Sequence, residues 1–331
     1  MDILLWLLGG AFLLLMAGWL YEITAEQRDR RRIPPPGKLY PVNAHRLHLD
    51  CRGARQPGQP AVILEAGLGN SSYDWRRVAP KLAEQARVCA YDRAGYGWSD
   101  PAQGVRTIPG MAAELHTLLE LAGEPGPYVL VGHSYGGNLA REFYRQHPET
   151  VVGMVLVDSA HEDQMQHLPE EEARALTASL GSLKNLVWLA RLGLVRLLAR
   201  SILLKRFPSL GTPEEQATYL PMIVRPVYYA SVLAETRTLV ETSTGHPAPP
   251  ELGALPLVVI EAGGHPETLP PGYTEERWLE TRAMFNAIQE ELAGLSTSSR
   301  LVVAEKSVHA IQLEQPEVVI EAVREVLGKA I

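Results

Sequence analysis

The stretch Tyr128–Gly137, YVLVGHSYGG, restricts the possible folds more than any other part of this chain. An apolar run leads directly into Gly132, His133, Ser134, Tyr135 and Gly136. A serine at the end of a buried strand adds little packing. The flanking glycines remove the Cβ atoms that would keep a strand and a following helix apart. Gly-x-Ser-x-Gly between an apolar strand and a helix puts the serine on a sharp, strained turn with its hydroxyl lifted clear of the sheet. The helix expected over 137–147 then aims its N-terminus, and the positive end of its dipole, at that hydroxyl. Ser134 is therefore the candidate nucleophile.

The rest of the chain repeats the strand-then-helix rhythm. Apolar runs at 61–67, 86–93, 128–134, 151–159, 255–263 and 300–306 end in glycine or polar residues, and 45–52 alternates. Continuous apolar runs of this length suit strands covered on both faces. Helical stretches are expected at 75–85, 109–122, 137–147, 274–294 and 315–328. Strands alternating with helices imply an α/β fold with a mainly parallel sheet. Residues 160–250 break the rhythm: they hold no strand pattern and are punctuated by Pro208, Pro213, Pro221 and Pro226. They read as a helical cap inserted between two parts of one core, 38–159 and 251–331.

The beginning of the chain differs in kind. Ile3–Leu20 carries no charge, which is near the lower limit for a helix that spans a bilayer. Trp6, Trp19 and Tyr21 are placed as interfacial anchors. No basic residue precedes the run and no small-x-small site follows it, so an uncleaved single-pass anchor over 1–32 fits better than a signal peptide. IPPPG at 33–37 reads as a stiff spacer. RDRRR at 28–32 favours the cytoplasmic face for the remainder. Within the cap, 173–213 lacks Asp and Glu, and LVWLARLGLVRLLARSILLKR reads as one basic, apolar-rich helix. Its apolar face is expected on the substrate cavity, and a sharper reading adds contact with an anionic membrane surface.

A serine hydroxyl needs a base, and His309 in EKSVHAIQLEQPE follows the last strand and precedes a helix. The base needs a carboxylate to hold its tautomer. Asp158, in VLVDSAHEDQ, is the first choice; Glu267 and Glu261, in VIEAGGHPE, are the alternatives. Two oxyanion donors are required: the backbone N–H of Tyr135, and that of Leu68 within the glycine-rich turn GLGNSSYDW. Composition removes rivals. Lys plus Arg number 31 against 38 Asp plus Glu, a net charge of −7, which argues against nucleic acid as a partner. Cys51 and Cys89 are the two cysteines, with no CxxC, so no zinc or dithiol redox site is expected.

Four motifs in order, EAGLGNSSYDW, YDRAGYGWSD, GHSYGG and SVHAIQLEQPE, resemble the α/β-hydrolase family over about 38–331. The resemblance implies an eight-stranded sheet, a helical cap and a Ser–acid–His triad in that chain order. Residue by residue it matches Ser134, His309, Leu68 and Tyr135 to nucleophile, base and oxyanion donors, with Asp92 and Arg93 as structural supports. This chain departs from the family in two places. Ala66-Gly67 replaces the frequent His-Gly. No carboxylate follows the penultimate strand in the G-x-x-D spacing, so Asp158, one strand earlier as in certain lipases and haloalkane dehalogenases, takes the acid role. The family's strand order also puts Cys51 and Cys89 on neighbouring strands, where they would either bridge or remain free thiols. The expectation is a serine esterase or lipase-like hydrolase of a small apolar ester, membrane-tethered, needing no cofactor and no metal. An aminopeptidase or amidase, with PEEEAR at 169–174 to receive an amine, and an inactive binding module of the same fold are the alternatives.

Overall fold

The computed structural model describes residues 2–56, 58–199, 211–242, 247–270 and 272–330. Eight strands form one sheet: β1 (Lys38–Val42), β2 (His45–Arg52), β3 (Ala61–Glu65), β4 (Val88–Asp92), β5 (Tyr128–His133), β6 (Val151–Val157), β7 (Leu257–Ala262) and β8 (Ser299–Ala304). Their order is β1-β2-β4-β3-β5-β6-β7-β8. β1 and β2 run antiparallel to their neighbours and all other pairs are parallel. Every residue of β3, β4, β5 and β7 is buried, as expected of strands sandwiched between helical layers. Side chains such as Val129, Leu64 and Val258 are fully enclosed, each contributing about 1.5–3 kcal/mol relative to exposure.

Helices α1 (Asp2–Arg32), α2 (Ile108–Ala122), α3 (Tyr135–Gln146), α4 (Gln164–His167), α5 (Glu170–Arg191), α6 (Pro213–Ile223), α7 (Pro226–Thr242), α8 (Glu275–Ala293) and α9 (Pro316–Lys329) complete the framework. α4 to α7 lie between β6 and β7 and make the cap, with α5 packed against α7.

Four sequence expectations need correction. β1 was not anticipated, because Pro41 removes a ladder donor; the strand is tolerated since it lies at the sheet edge, opposite Arg46. The helix expected over 75–85 is a 3-10 turn at Ser72–Trp75 and a single turn at Ala79–Leu82, with Pro80 interrupting continuity. The basic cap helix is not continuous. α5 ends at Arg191, Gly193 takes a left-handed φ of 69°, and a new helical segment covers 194–199. Its remainder, and the punctuation at Pro208, lie outside the described residues. Finally, 33–37 does not hold anchor and core apart. α1 continues to Arg32 and the spacer is docked: Trp98 Nε1 donates to the Ile33 carbonyl at 3.0 Å and Gly37 N–H to His48 Nε2 at 3.2 Å. Cys51 and Cys89 are register partners on β2 and β4 and form a disulfide.

Candidate active site

β5 delivers Ser134 to the turn before α3 with φ 52° and ψ −124°, a conformation that costs a non-glycine residue about 1–3 kcal/mol. The surroundings enforce it. The Ser134 N–H donates to Val157 O at 3.0 Å, while its carbonyl accepts from Gly137 at 2.9 Å and Ala160 at 3.0 Å. The glycines are required by contact distance: a Cβ on Gly132 would lie 2.6 Å from Gly136 O, and one on Gly136 would lie 2.5 Å from Glu65 O.

Asp158 leaves β6 with φ 40° and is buried. Its Oδ2 accepts from His309 Nδ1 at 2.6 Å, while Oδ1 accepts from Ala262 N–H at 3.2 Å and Arg282 Nη2 at 3.3 Å. Burial pushes this carboxyl up. The hydrogen bond from His309 and the charges of His309 and Arg282 outweigh it and hold the group at about 2. His309 sits in the loop after β8 with its side chain 53% exposed. Of the three carboxylates considered from sequence, Asp158 is thus the one paired with His309. Glu261 is buried at the end of β7 and pushed up by that burial; Glu267 is exposed in the following loop.

Among the described residues, Ser134 Oγ forms no hydrogen bond with His309. Contacts of this type commonly tighten only when substrate is bound. The turn carrying Leu68 lies against the serine: a Cβ on Gly67 would fall 3.3 Å from Ser134 Cβ. The N–H of Tyr135 opens α3, where the first turn has no intrahelical acceptors.

Arg93 is the structural support expected from sequence, while its partners and the other supporting residues were not recognised there. His133, buried beside the serine, donates from Nε2 to His309 O at 3.1 Å and accepts at Nδ1 from Gln312 at 3.3 Å. Burial, then the neighbouring His309, pushes its pKa down to about 3, so the ring stays neutral and braces the His309 loop. Beneath the Leu68 turn, the Arg93 guanidinium donates to Ala66 O at 2.6 Å, Gly67 O at 2.8 Å and Glu65 Oε1 at 2.7 Å. Its remaining donors meet both oxygens of Glu235, on cap helix α7, at 2.9 Å. Glu65 also accepts from Tyr91, and its pKa is pushed up to about 7 because burial outweighs Arg93 and Tyr91. At the cap root, Arg141 grips Glu162 through Nε at 2.9 Å and Nη2 at 2.8 Å. The charged partners lie 28, 142 and 21 residues apart in sequence. No local pattern signals them.

Among the described residues, ligand atoms of His161, Asp163 and His167 lie within 4.8 Å of one another. The cluster is ion-paired internally, with Asp163 facing both imidazoles. Two cavities, of about 190 and 270 Å³, lie beside Ile33 rather than at Ser134.

An eight-stranded sheet with a nucleophile-type turn after β5 and a cap after β6 defines an α/β-hydrolase fold. A family model described as alpha/beta hydrolase fold matches residues 60–185. The chain has the α/β-hydrolase fold, and the family match over 60–185 covers the segment that carries the Ser134 turn. It is 38% identical over 139 residues to a probable transporter, efuK, of Hormonema carpetanum, covering 40% of this chain and 20% of that one. It is also 38% identical over 147 residues to an AB hydrolase superfamily protein of Gibberella zeae, covering 43% and 45%. The matches therefore span under half the length of these curated relatives. Among solved structures it resembles a thermophilic esterase from Thermogutta terrifontis, with a TM-score of 0.61 at 22% identity, covering 88% of this chain and 98% of that one.

Proposed function

We propose that the protein is a serine hydrolase acting on a carboxylic ester through a Ser134–His309–Asp158 triad. The observation that carries this reading is the short bond from His309 Nδ1 to a buried, ionised Asp158, two strand ends that converge beside the Ser134 turn. Nδ1 bound to the carboxylate leaves Nε2 as the basic nitrogen. In the reaction, His309 Nε2 takes the Ser134 proton as Oγ adds to the ester carbonyl. The N–H groups of Leu68 and Tyr135 receive the oxyanion. The tetrahedral intermediate collapses, breaking the bond to the leaving alcohol, which departs with the proton from His309. Water then adds to the acyl-serine by the same route, releasing the acid and restoring Ser134. No cofactor or metal takes part. A serine at the turn, rather than a carboxylate, favours acyl transfer over epoxide or halide displacement.

The partly buried Leu68 and Leu239 pack with Tyr135 and Leu139 in an apolar cluster next to the turn, which supports an apolar substrate. The long N-terminal apolar helix fits a membrane anchor. On its orientation two features oppose each other: the arginines at 28–32 favour the cytoplasmic face, while the Cys51–Cys89 disulfide fits an oxidising compartment. Protease protection in oriented vesicles assigns the side.

The test is labelling by a fluorophosphonate combined with hydrolysis of short p-nitrophenyl esters. Ser134→Ala is expected to abolish labelling and to lower kcat by about 10⁶-fold, as for other serine hydrolases. Retained activity would end the nucleophile assignment. Cleavage of aminoacyl anilides in preference to esters would turn the reading to an amidase.

A further inference from the structure

We propose that the exposed apolar surface of the cap at 188–198 is sunk into the interfacial layer of the same bilayer that α1 crosses. This rests on the reading of α1 as a membrane span and is independent of the catalytic reading.

The first ground is where anchor and cap meet. Contact begins at Gly18, whose Cβ position would lie 2.6 Å from Leu192 O. Gly193, in turn, has no room for a Cβ because the Tyr21 ring lies 2.6 Å from that position. One turn further on, Glu22 is buried and takes Arg196 Nε and Nη2, both at 2.8 Å, and Asp29 pairs with the same guanidinium. Arg196 belongs to the helical segment 194–199, so these bonds fix the cap at one height along α1.

The second ground is length. The part of α1 free of the cap, Ile3–Ala17, gives about 22 Å of helix at ~1.5 Å per residue. The hydrocarbon layer is about 30 Å thick. If α1 spans that layer, no water-filled gap fits between bilayer and cap. To keep Ile3–Leu20 in hydrocarbon, the bilayer surface must reach the level of Leu192 and Gly193.

The third ground is what the cap displays on either side of Leu192 and Gly193 in sequence. Trp188, Leu189, Leu194, Leu197 and Leu198 are 40 to 63% exposed. Such a cluster is unfavourable in water but suited to an acyl-chain boundary. The Arg191 guanidinium stacks 4.7 Å above the Trp188 ring, and Trp19 and Tyr21 are exposed on α1 at the same height. Aromatic rings with a cationic companion are what the headgroup layer favours. The left-handed turn at Gly193 breaks the basic helix, and the turn itself abuts α1 at Tyr21 and Gly18.

The full chain in phosphatidylcholine–phosphatidylglycerol vesicles tests this directly. Leu197→Cys, Leu14→Cys and Val105→Cys each carry an NBD fluorophore, the native cysteines being bridged. Doxyl-labelled lipids are expected to quench the labels at 14 and 197 several-fold more than the one at 105, with 197 most sensitive to the shallowest nitroxide. Quenching at 14 but not at 197 would overturn the proposal while leaving the anchor intact. No quenching at 14 would remove the anchor reading and this inference with it. A label at 197 shielded from aqueous iodide yet untouched by lipid nitroxide would assign the face to a protein contact, and would also overturn it.

Discussion

The strands on either side of β5 each end at a buried carboxylate, and the two behave oppositely. Asp158, after β6, is held at about 2, while Glu65, ending β3, is pushed up to about 7. Burial raises both. Asp158 receives donors from His309, Ala262 and Arg282, so its charge is better stabilised inside the protein than in water. Glu65 shares Arg93 with Glu235, a second carboxylate whose charge opposes its own. The number and exclusivity of the donors decides the sign, not the depth of burial. The consequence is a division of labour across the Ser134 turn. One side presents an anion to orient His309, the proposed base, and the other commits its charges to tying the Leu68 turn, the proposed oxyanion site, to the cap.

If that division is correct, damaging the two sides has different signatures. The largest effect on chemistry is expected from Asp158→Asn, a fall in kcat of about 10⁴-fold from loss of the correct His309 tautomer, with the fold intact by circular dichroism. A loss of tenfold or less, with a large loss in Glu261→Gln or Glu267→Gln, would transfer the acid role. Next comes Arg93→Met, which leaves Glu65 and Glu235 buried without their cation. It is expected to lower stability by about 3–5 kcal/mol, since breaking a buried ion pair strands its partner. Arg93→Met/Glu65→Gln/Glu235→Gln should recover most of that stability without recovering kcat. If activity returns fully along with stability, Arg93 holds the fold together and does not position the Leu68 turn.

Legibility in the sequence divides along the same line. The Ser134 turn was readable because it is local: an apolar strand, two glycines and a helix within ten residues create the strain wherever they occur. His309 and Asp158 were readable as residues flanking strand ends, although only the fold shows that β6 and β8 deliver them to each other. Glu65, Arg93 and Glu235 were opaque as a unit. Arg93 was legible as a support but not its partners, and Glu235 lies in a cap helix where a glutamate is usually solvated. The broken cap helix was misread because Gly193 in an apolar, basic run looks tolerable, and its left-handed turn is stabilised by Tyr21 and Gly18 from 172 to 175 residues away. Pattern reports what a segment prefers by itself. It does not report which distant side chain makes an unusual conformation the stable one.

The smallest effects are in the pH dependence of stability, where the comparison can be made finest. Glu65 has a raised folded pKa, about 7 against an ordinary 4.5. Its contribution to stability is complete below about 4.5 and is lost as pH rises through 7. His133 has a depressed folded pKa, about 3 against 6.5, because the buried ring resists charging. Its contribution is complete above 6.5 and is lost as pH falls towards 3. Between 4.5 and 6.5 the two oppose each other, while Asp74, pushed up to about 6 by burial, adds a downward slope of its own, so each variant is compared with the wild-type profile. Relative to wild type, Glu65→Gln should tilt the Tm profile upward with pH through that window, while His133→Gln should tilt it downward. The Asp158 contribution, lost only as pH falls from 3.8 towards 2, stays out of the window and confounds neither variant. Matching Tm profiles for the two substitutions would mean that these carboxyl and imidazole groups do not titrate against each other across the Ser134 turn.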